Sequence, residues 1–145
     1  MTTARQGRPL PARTPDTEFW WAGAEAGELR IQRCAACGHL QHPPEPACMS
    51  CHASDMDGDT GGDLGWIVSS GRGQIYSFVV YHEPRLPGFS YPYTVAVVEL
   101  DEGTRVITDI VDADPGEVGI GQRVRVSFRR VDERLTLPVF TPEPR

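Results

Sequence analysis

The 145-residue chain contains no lysine, so all 14 of its positively charged side chains are arginines. The absence of lysine excludes Schiff-base chemistry, a Walker lysine and a lysine general base. No apolar run approaches the ~18–20 residues that a membrane helix needs. The N-terminal segment also lacks the apolar stretch of a signal peptide. We therefore expect a cytoplasmic protein that does not enter a membrane.

Positive charge is scarce relative to negative charge, because 20 acidic residues give the chain a net charge of −6. A protein with this balance has no overall field that would draw it to nucleic acid or to an anionic membrane. Hydrophobic residues make up 39% and charged residues 23% of the chain. These fractions are ordinary for globular proteins and exclude a wholly disordered chain.

Glycine and proline, by contrast, are frequent, with 15 and 13 copies. They divide the chain into short segments, as in β-rich proteins. In chain order we predict a flexible tail (1–13), an N-terminal helix (14–28), a cysteine-bearing ribbon (29–54), an acidic linker (55–66) and a β barrel (67–142).

The predicted helix rests on its start and stop signals. Thr14 is suited to the N-cap, Pro15 to the first helical position and Gly27 to the end, while acidic residues in the first turn favour the helix dipole. Two aromatic residues, Trp20 and Trp21, lie within it. These tryptophans either pack on the protein itself or dock onto a partner, and both interpretations stay open.

Five later segments are rich in β-branched and aromatic residues and are bounded by glycine, proline or aspartate. They are Gly73–Tyr81, Thr94–Leu100, Thr104–Val111, Arg123–Val131 and Leu135–Phe140. The residues between the second and third segments have the chemistry of a hairpin turn. Five short strands with no strong helix among them predict a small closed barrel and a mainly β fold.

The four cysteines form two C-x-x-C pairs, Cys34 with Cys37 and Cys48 with Cys51. Each pair can present two sulfurs from one tight knuckle, and Gly38 tolerates the turn that points backbone N–H groups at the thiolates. Four converging thiolates are the set that Zn²⁺ takes in closed structural sites, so we predict a structural Cys₄ zinc site. A ribbon this short buries little apolar surface, so the metal should supply much of its stability.

Other interpretations of the cysteines remain. Two disulfides are disfavoured by the expected cytoplasmic setting, and four unrelated core cysteines are disfavoured by the paired spacing. Iron in a rubredoxin-like centre is a third alternative, which sulfur ligation alone does not exclude. Three histidines close to the cysteines in sequence are alternative ligands, although four cysteines already complete a set: His39, His42 and His52.

The segment that joins the first two predicted barrel strands is unusually rich in aromatic residues and proline. Loops on a rigid barrel often carry binding surfaces, and the first inter-strand loop of an OB-fold commonly contacts ligands. We therefore predict partner docking through a set of residues in this segment: Tyr81, Arg85, Phe89, Tyr91 and Tyr93.

Arginines at two places in the predicted barrel are candidates for phosphate binding. Arg72 lies between two glycines where the first strand begins. In the fourth strand, alternation places Arg123 and Arg125 on the outer face and the valines between and after them on the inner face. A simple solvated surface is the alternative interpretation of these arginines.

Together these segments resemble a known family. The matching residues are Glu28 to Arg33 with the two C-x-x-C pairs, Ser70 to Phe78, Pro92 to Gly103, and Gly119-x-Gly121-x-x-Val124. Over about residues 14–142 the chain resembles the zinc-ribbon/OB-fold acyl-CoA-associated proteins, formerly a domain-of-unknown-function family. It departs from the family pattern in its long acidic connector at 55–65.

The resemblance implies an N-terminal helix, a rubredoxin-like zinc ribbon and a C-terminal five-stranded OB-fold. Members usually accompany thiolase-like enzymes, and some are accessory subunits of steroid side-chain aldolases. The expected function is thus a non-catalytic accessory subunit in a hetero-oligomer with a thiolase-like protein, sharing a CoA thioester with that partner. Arg72, Arg123 and Arg125 are expected to contact the CoA phosphates, and Trp20 and Trp21 to assist docking.

Functions of other classes stay as alternatives. Zinc ribbons and OB-folds also bind nucleic acids, but such modules need a positive groove with exposed stacking aromatics, and this chain is acidic. A stand-alone hydrolase or CoA transferase acting through His82 or a serine would lack the G-x-S-x-G elbow. An iron-bearing ribbon would instead indicate an electron carrier.

Overall fold

The computed structural model describes residues 9–53 and 64–144. Over these ranges the chain folds into a short helix, a three-stranded antiparallel sheet and a closed five-stranded barrel. The predicted mainly β fold class is therefore confirmed. Within the same ranges, no helix is long and apolar enough to cross a membrane.

Helix α1 spans Glu18–Glu25 and so begins later than its start signals predicted. Thr17 holds the N-cap position, and its N–H donates to the Thr14 carbonyl at 3.1 Å, which closes a separate turn before the helix. At the other end Gly27 has a φ of +75°, and the Glu28 N–H donates to the Gly23 carbonyl at 2.8 Å. These contacts form a Schellman motif, so the helix ends as predicted.

The end of the predicted flexible tail is fixed to this helix. The Arg13 guanidinium lies 2.7 Å from carboxylate oxygens of both Glu18 and Glu25. Residues 1–8 of the predicted tail lie outside the described residues.

The ribbon sheet consists of β1 (Arg30–Cys34), β2 (Leu40–Gln41) and β3 (Leu64–Val68), in the order β2-β1-β3. Strand β3 differs from the sequence prediction, which divided its residues between the linker 55–66 and the start of the barrel. It pairs with β1 along its whole length, from Leu64 opposite Cys34 to Val68 opposite Arg30. Residues 54–63 lie outside the described residues.

The barrel strands lie close to their predicted positions. They are β4 (Arg72–Tyr81), β5 (Tyr93–Leu100), β6 (Arg105–Ile110), β7 (Arg123–Arg130) and β8 (Thr136–Pro142). Strand pairing closes the ring in the order β4-β5-β6-β8-β7. The Leu100 N–H donates to the Thr104 carbonyl at 2.8 Å, which forms the predicted hairpin turn between β5 and β6.

Ribbon and barrel share one apolar core. Leu29 and Ile31 of the ribbon are 2% and 0% exposed and belong to the same cluster as the inward-facing barrel residues. The barrel contributes Ile75, Ala96, Val98, Leu100, Val106, Ile110, Val118, Val124 and Phe140 to this cluster. Because the two parts bury each other's apolar side chains, the orientation of the ribbon on the barrel is fixed by packing.

A polar contact reinforces this junction. The Ser69 hydroxyl donates to Glu102 at 2.7 Å, and the Ser70 N–H donates to the same carboxylate at 2.8 Å. Burial raises the pKa of Glu102, but the donors from Ser70 and Ser69 outweigh it and hold the pKa below its usual value. The segment that enters the barrel is thereby attached to the β5–β6 turn.

Candidate metal centre and interaction surfaces

The four cysteine sulfurs converge at one end of the ribbon, with all ligand atoms within 4.8 Å of one another. Two Sγ–Sγ distances, Cys34 to Cys51 and Cys37 to Cys48, are 3.6 Å. Thiolates ~2.3 Å from a tetrahedral zinc ion would lie ~3.8 Å from one another. All four cysteines are free thiols, so the arrangement fits a four-coordinate zinc ion.

The first knuckle closes the hairpin between β1 and β2. The Gly38 N–H donates to the Cys34 carbonyl at 2.7 Å, and Gly38 adopts the positive φ of +80° that its position predicted. The Cys34 N–H donates to the His39 carbonyl at 2.9 Å. Strand pairing thus determines where Cys34 and Cys37 lie.

The second knuckle directs backbone N–H groups toward a sulfur. Those of Ser50 and Cys51 each lie 3.4 Å from Cys48 Sγ. The N–H of Cys51, and secondarily that of Ser50, lower the pKa of the Cys48 thiol to about 6. Donation from Ala53 lowers the pKa of Cys51, but the Cys34 sulfur and burial counter it and raise that pKa to about 12.

The short distances between the sulfurs determine the chemistry of the site. Four thiols at this distance cannot all ionise together, because each thiolate disfavours the next. A divalent cation removes that repulsion and holds all four as thiolates. With four sulfur ligands the coordination shell is closed, so the metal is suited to a structural role and not to activating water.

The candidate histidine ligands lie elsewhere. Among the described residues, the clustered potential metal ligands are the four cysteines alone. His42 instead packs against Trp20, with ring centroids 4.4 Å apart, and its Nδ1 is buried without a hydrogen-bond partner. Burial lowers the pKa of His42 to about 4.

The docking residues predicted in the loop come together as one cluster of rings. Tyr93 lies at its centre, with ring centroids 5.3 Å from Tyr81, 5.5 Å from Phe89 and 5.2 Å from Tyr91. The Arg85 guanidinium lies over the Tyr91 ring at 5.8 Å. We call Tyr81, Phe89, Tyr91 and Tyr93 the aromatic cluster.

The outer face of the barrel extends this cluster, and the sequence reasoning missed it. Tyr76, Val79 and Ile107 are 49%, 59% and 74% exposed. Register places Val95 beside Val79, and Val97 beside Ile107, on neighbouring strands. We call these five residues the outer sheet face. The signal was present, because alternation along β5 puts valines at outward positions where polar residues are usual.

The two tryptophans of α1 have different surroundings. Trp20 is partly buried against the shared core and contacts His42. Trp21 lines a groove of about 160 Å³ together with Leu10, Pro11 and Leu135. Trp20 therefore stabilises the protein itself, and the docking role predicted for both tryptophans stays a prediction.

The three candidate phosphate-binding arginines lie side by side on the barrel surface. Arg72 of β4 is directly opposite Arg125 of β7, and Arg123 is opposite Gln74, two residues along β4. Arg123 donates to both carboxylate oxygens of Asp101, at 2.9 and 3.0 Å, and thereby lowers the pKa of Asp101. Arg72 and Arg123 also lie 3.5 and 4.0 Å from Glu143, so nearby carboxylates balance part of this charge.

Comparison with known proteins identifies both parts of the chain. The family descriptions "ChsH2, rubredoxin-like zinc ribbon domain" and "ChsH2, C-terminal OB-fold domain" match residues 21–57 and 66–129. A solved structure titled "Ltp2-ChsH2(DUF35) aldolase" contains a chain that is 43% identical, with a TM-score of 0.81. The match covers 92% of this chain and 98% of that one.

Two curated relatives are also similar to this chain in sequence. The "Probable enoyl-CoA hydratase alpha subunit" of Thermomonospora curvata is 44% identical over 93% of this chain, which spans only 40% of the relative's length. The "Benzoylsuccinyl-CoA thiolase subunit BbsA" of Thauera aromatica is 26% identical over 90% of each chain. Both relatives are named as subunits of enzymes whose names contain a CoA derivative.

Proposed function

Because the chain belongs to the DUF35 family of ChsH2-type zinc-ribbon and OB-fold proteins, we propose that it is a non-catalytic accessory subunit of a thiolase-like acyl-CoA enzyme. The observation that carries this proposal is the match over 98% of a chain found in a two-protein aldolase. In this proposal the complex is cytoplasmic and the partner supplies the catalytic groups. The partner's reaction is a carbon–carbon cleavage such as a steroid side-chain retro-aldol step.

The docking surface comprises the aromatic cluster and the outer sheet face. Together they form a continuous surface, since Tyr81 and Tyr93 are paired at one end of the strands that carry Val79 and Val95. Exposed apolar patches on soluble proteins mark interaction sites, and tyrosine is enriched in interfaces. The nearby charges are paired within the chain, with Arg105 lying 3.2 Å from Glu99 and stacked over Tyr76 at 3.7 Å.

The arginine group on β4 and β7 is the chain's contribution to the acyl-CoA site. Arg72 and Arg125 are exposed and adjacent, which suits contact with the phosphates of CoA. The carboxylates of Asp101 and Glu143 hold Arg123 and Arg72 in place before the ligand arrives. CoA is then shared, with its phosphates on this chain and its thioester in the partner's active site.

The test of this function is co-expression with a thiolase-like protein encoded beside this chain's gene. Ile107→Asp on the outer sheet face should weaken the complex by at least about tenfold, since it places a charge in an apolar interface. The matched control is Ile120→Asp, because Ile120 is also 74% exposed but lies outside the docking surface. Size-exclusion chromatography and titration calorimetry would measure both.

Two results would contradict the proposal at different levels. If the partner's turnover and solubility do not depend on this chain, the accessory function is wrong. If the complex forms but both variants bind like the wild type, the accessory role stands and the docking surface is wrong.

A further inference from the structure

Two buried glutamines lie between the ribbon sheet and the second cysteine knuckle. Gln32 of β1 and Gln41 of β2 are directly opposite each other and are 4% and 7% exposed. Their side chains are joined, because Gln41 Nε2 donates to Gln32 Oε1 at 2.7 Å. Buried glutamine is uncommon in a small domain, so the contacts of these amides require an explanation.

The remaining hydrogen bonds of the pair go to the chain that leads into the second knuckle. Gln32 Nε2 donates to the Glu45 carbonyl and Gln32 Oε1 accepts from the Glu45 N–H, both at 2.9 Å. Gln41 Nε2 donates to the Ala47 carbonyl at 3.0 Å, and Gln41 Oε1 accepts from the Met49 N–H at 2.8 Å. The two amides therefore fix the backbone on both sides of Cys48.

The two knuckles differ in what supports them. The first is the turn of the β1–β2 hairpin, whose register is set by strand pairing. Among the described residues the second knuckle belongs to no strand of the ribbon sheet, and the glutamine pair connects it to that sheet. Within the second knuckle the backbone bonds match those of the first, since the Cys48 N–H donates to the Ala53 carbonyl at 2.7 Å and the His52 N–H to the Cys48 carbonyl at 2.9 Å. The glutamine pair therefore sets how this knuckle lies against the ribbon sheet.

We propose that Gln32 and Gln41 are positioning residues that set the distance between the two knuckles before the metal binds. Amides suit this position, since each offers donors and acceptors without adding charge beside four thiolates. A preformed ligand set loses less conformational freedom when it closes on a metal than a mobile one does. This inference concerns the metal site and does not depend on the accessory function.

The experiment compares zinc release from the full-length, zinc-loaded protein and its variants. Gln41→Leu removes three of the five hydrogen bonds. It should lower zinc affinity by about 10- to 100-fold, as loss of supporting contacts does at other metal sites, and so speed zinc transfer to a chelating dye. Gln74→Leu is the matched control, since Gln74 is an exposed strand glutamine of the barrel. Its zinc release should equal that of the wild type.

A second variant and a second readout distinguish positioning from general stability. Gln41→Glu keeps the shape and the acceptor for Met49 but loses both donated bonds, so it should also release zinc faster. The ligand-field spectrum of the Co²⁺-substituted protein reports the sulfur geometry, and the thermal transition reports the barrel. Faster release and an altered spectrum with an unchanged barrel transition support the proposal.

Other outcomes overturn it. Wild-type release rates in both variants would mean that the metal alone sets the knuckle distance. If both variants lose the barrel transition together with the zinc, the pair is a general folding element instead of a positioning pair.

Discussion

The barrel and the ribbon are stabilised by different physical interactions. The barrel has a closed ring of strands around apolar side chains such as Val98, Val124 and Phe140, which are at most 1% exposed. The ribbon has three short strands, and away from the junction with the barrel its buried side chains, among the described residues, are Gln32, Gln41, Cys34 and Cys48. Apolar burial therefore determines the barrel, whereas directional polar contacts and a metal site determine the ribbon.

The junction between ribbon and barrel is stabilised by apolar burial, as the barrel is. Leu29 and Ile31 come from the ribbon segment but lie in the barrel core. Cys34 lies at the opposite end of β1 from Leu29. The difference leads us to expect that the two ends of the ribbon respond differently to perturbation.

Metal removal should produce the largest difference between the ribbon and the barrel. Structural zinc sites contribute about 10–16 kcal/mol of binding energy to folding, so chelation should loosen the part of the second knuckle beyond the glutamine contacts while the barrel stays folded. Hydrogen exchange would show it, with amide protection lost most at residues 51–53 and retained at Val98 and Val124. Ser50→Ala is the control variant, because Ser50 is exposed and is not a ligand. Simultaneous loss of protection in the barrel would show that the two parts unfold as one unit.

Truncation at the junction should have the next largest effect. Ile31 is fully buried, and Ile31→Ala should lower the free energy of unfolding of the barrel by about 2–5 kcal/mol through lost burial and a cavity. Denaturant titration followed by far-ultraviolet circular dichroism would measure the change. Ile120→Ala is the matched control, since that side chain is largely exposed and should change stability by less than about 0.5 kcal/mol. If Ile31→Ala changes zinc release but not barrel stability, the prediction is wrong and Ile31 stabilises the ribbon alone.

Local patterns in the sequence were sufficient for much of this structure. The C-x-x-C spacing predicts the knuckles because each one closes within four residues. The barrel strands follow from alternation that is visible in each segment alone, as in β7, where Val124 is buried and Arg125 exposed.

The features that the sequence could not predict depend on contacts between residues far apart in the chain. Strand β3 follows a glycine- and aspartate-rich stretch and is defined by its pairing with β1, about 30 residues earlier in the chain. The approach of Arg72 to Arg125 likewise depends on which strands close the barrel. The predicted helix start was wrong for a local reason, because Thr14 and Thr17 are equally suitable N-cap residues and the chain forms a separate turn from Thr14 to Thr17 before the helix begins.

The smallest effect should come from acid titration of His42, which lies where α1 meets the ribbon. Its ring contacts Trp20, and burial lowers its pKa from 6.5 to about 4. The unfolded chain therefore binds a proton at a higher pH than the folded protein does. The resulting stability is fully present above pH 6.5 and is lost as the pH falls toward about 4.

Between about pH 7.5 and pH 5.5, this titration should lower the free energy of unfolding by about 1 kcal/mol. His42→Phe should abolish that part of the pH dependence, whereas His39→Phe should retain it because His39 is exposed. Denaturant titrations of the zinc-loaded proteins would measure the slopes, and loss of zinc at low pH would affect both variants alike. Equal slopes for His42→Phe and the wild type would mean that protonated His42 is accommodated where it lies. The surroundings of His42 beside Trp20 would then be closer in polarity to the ribbon interior than to the apolar barrel core.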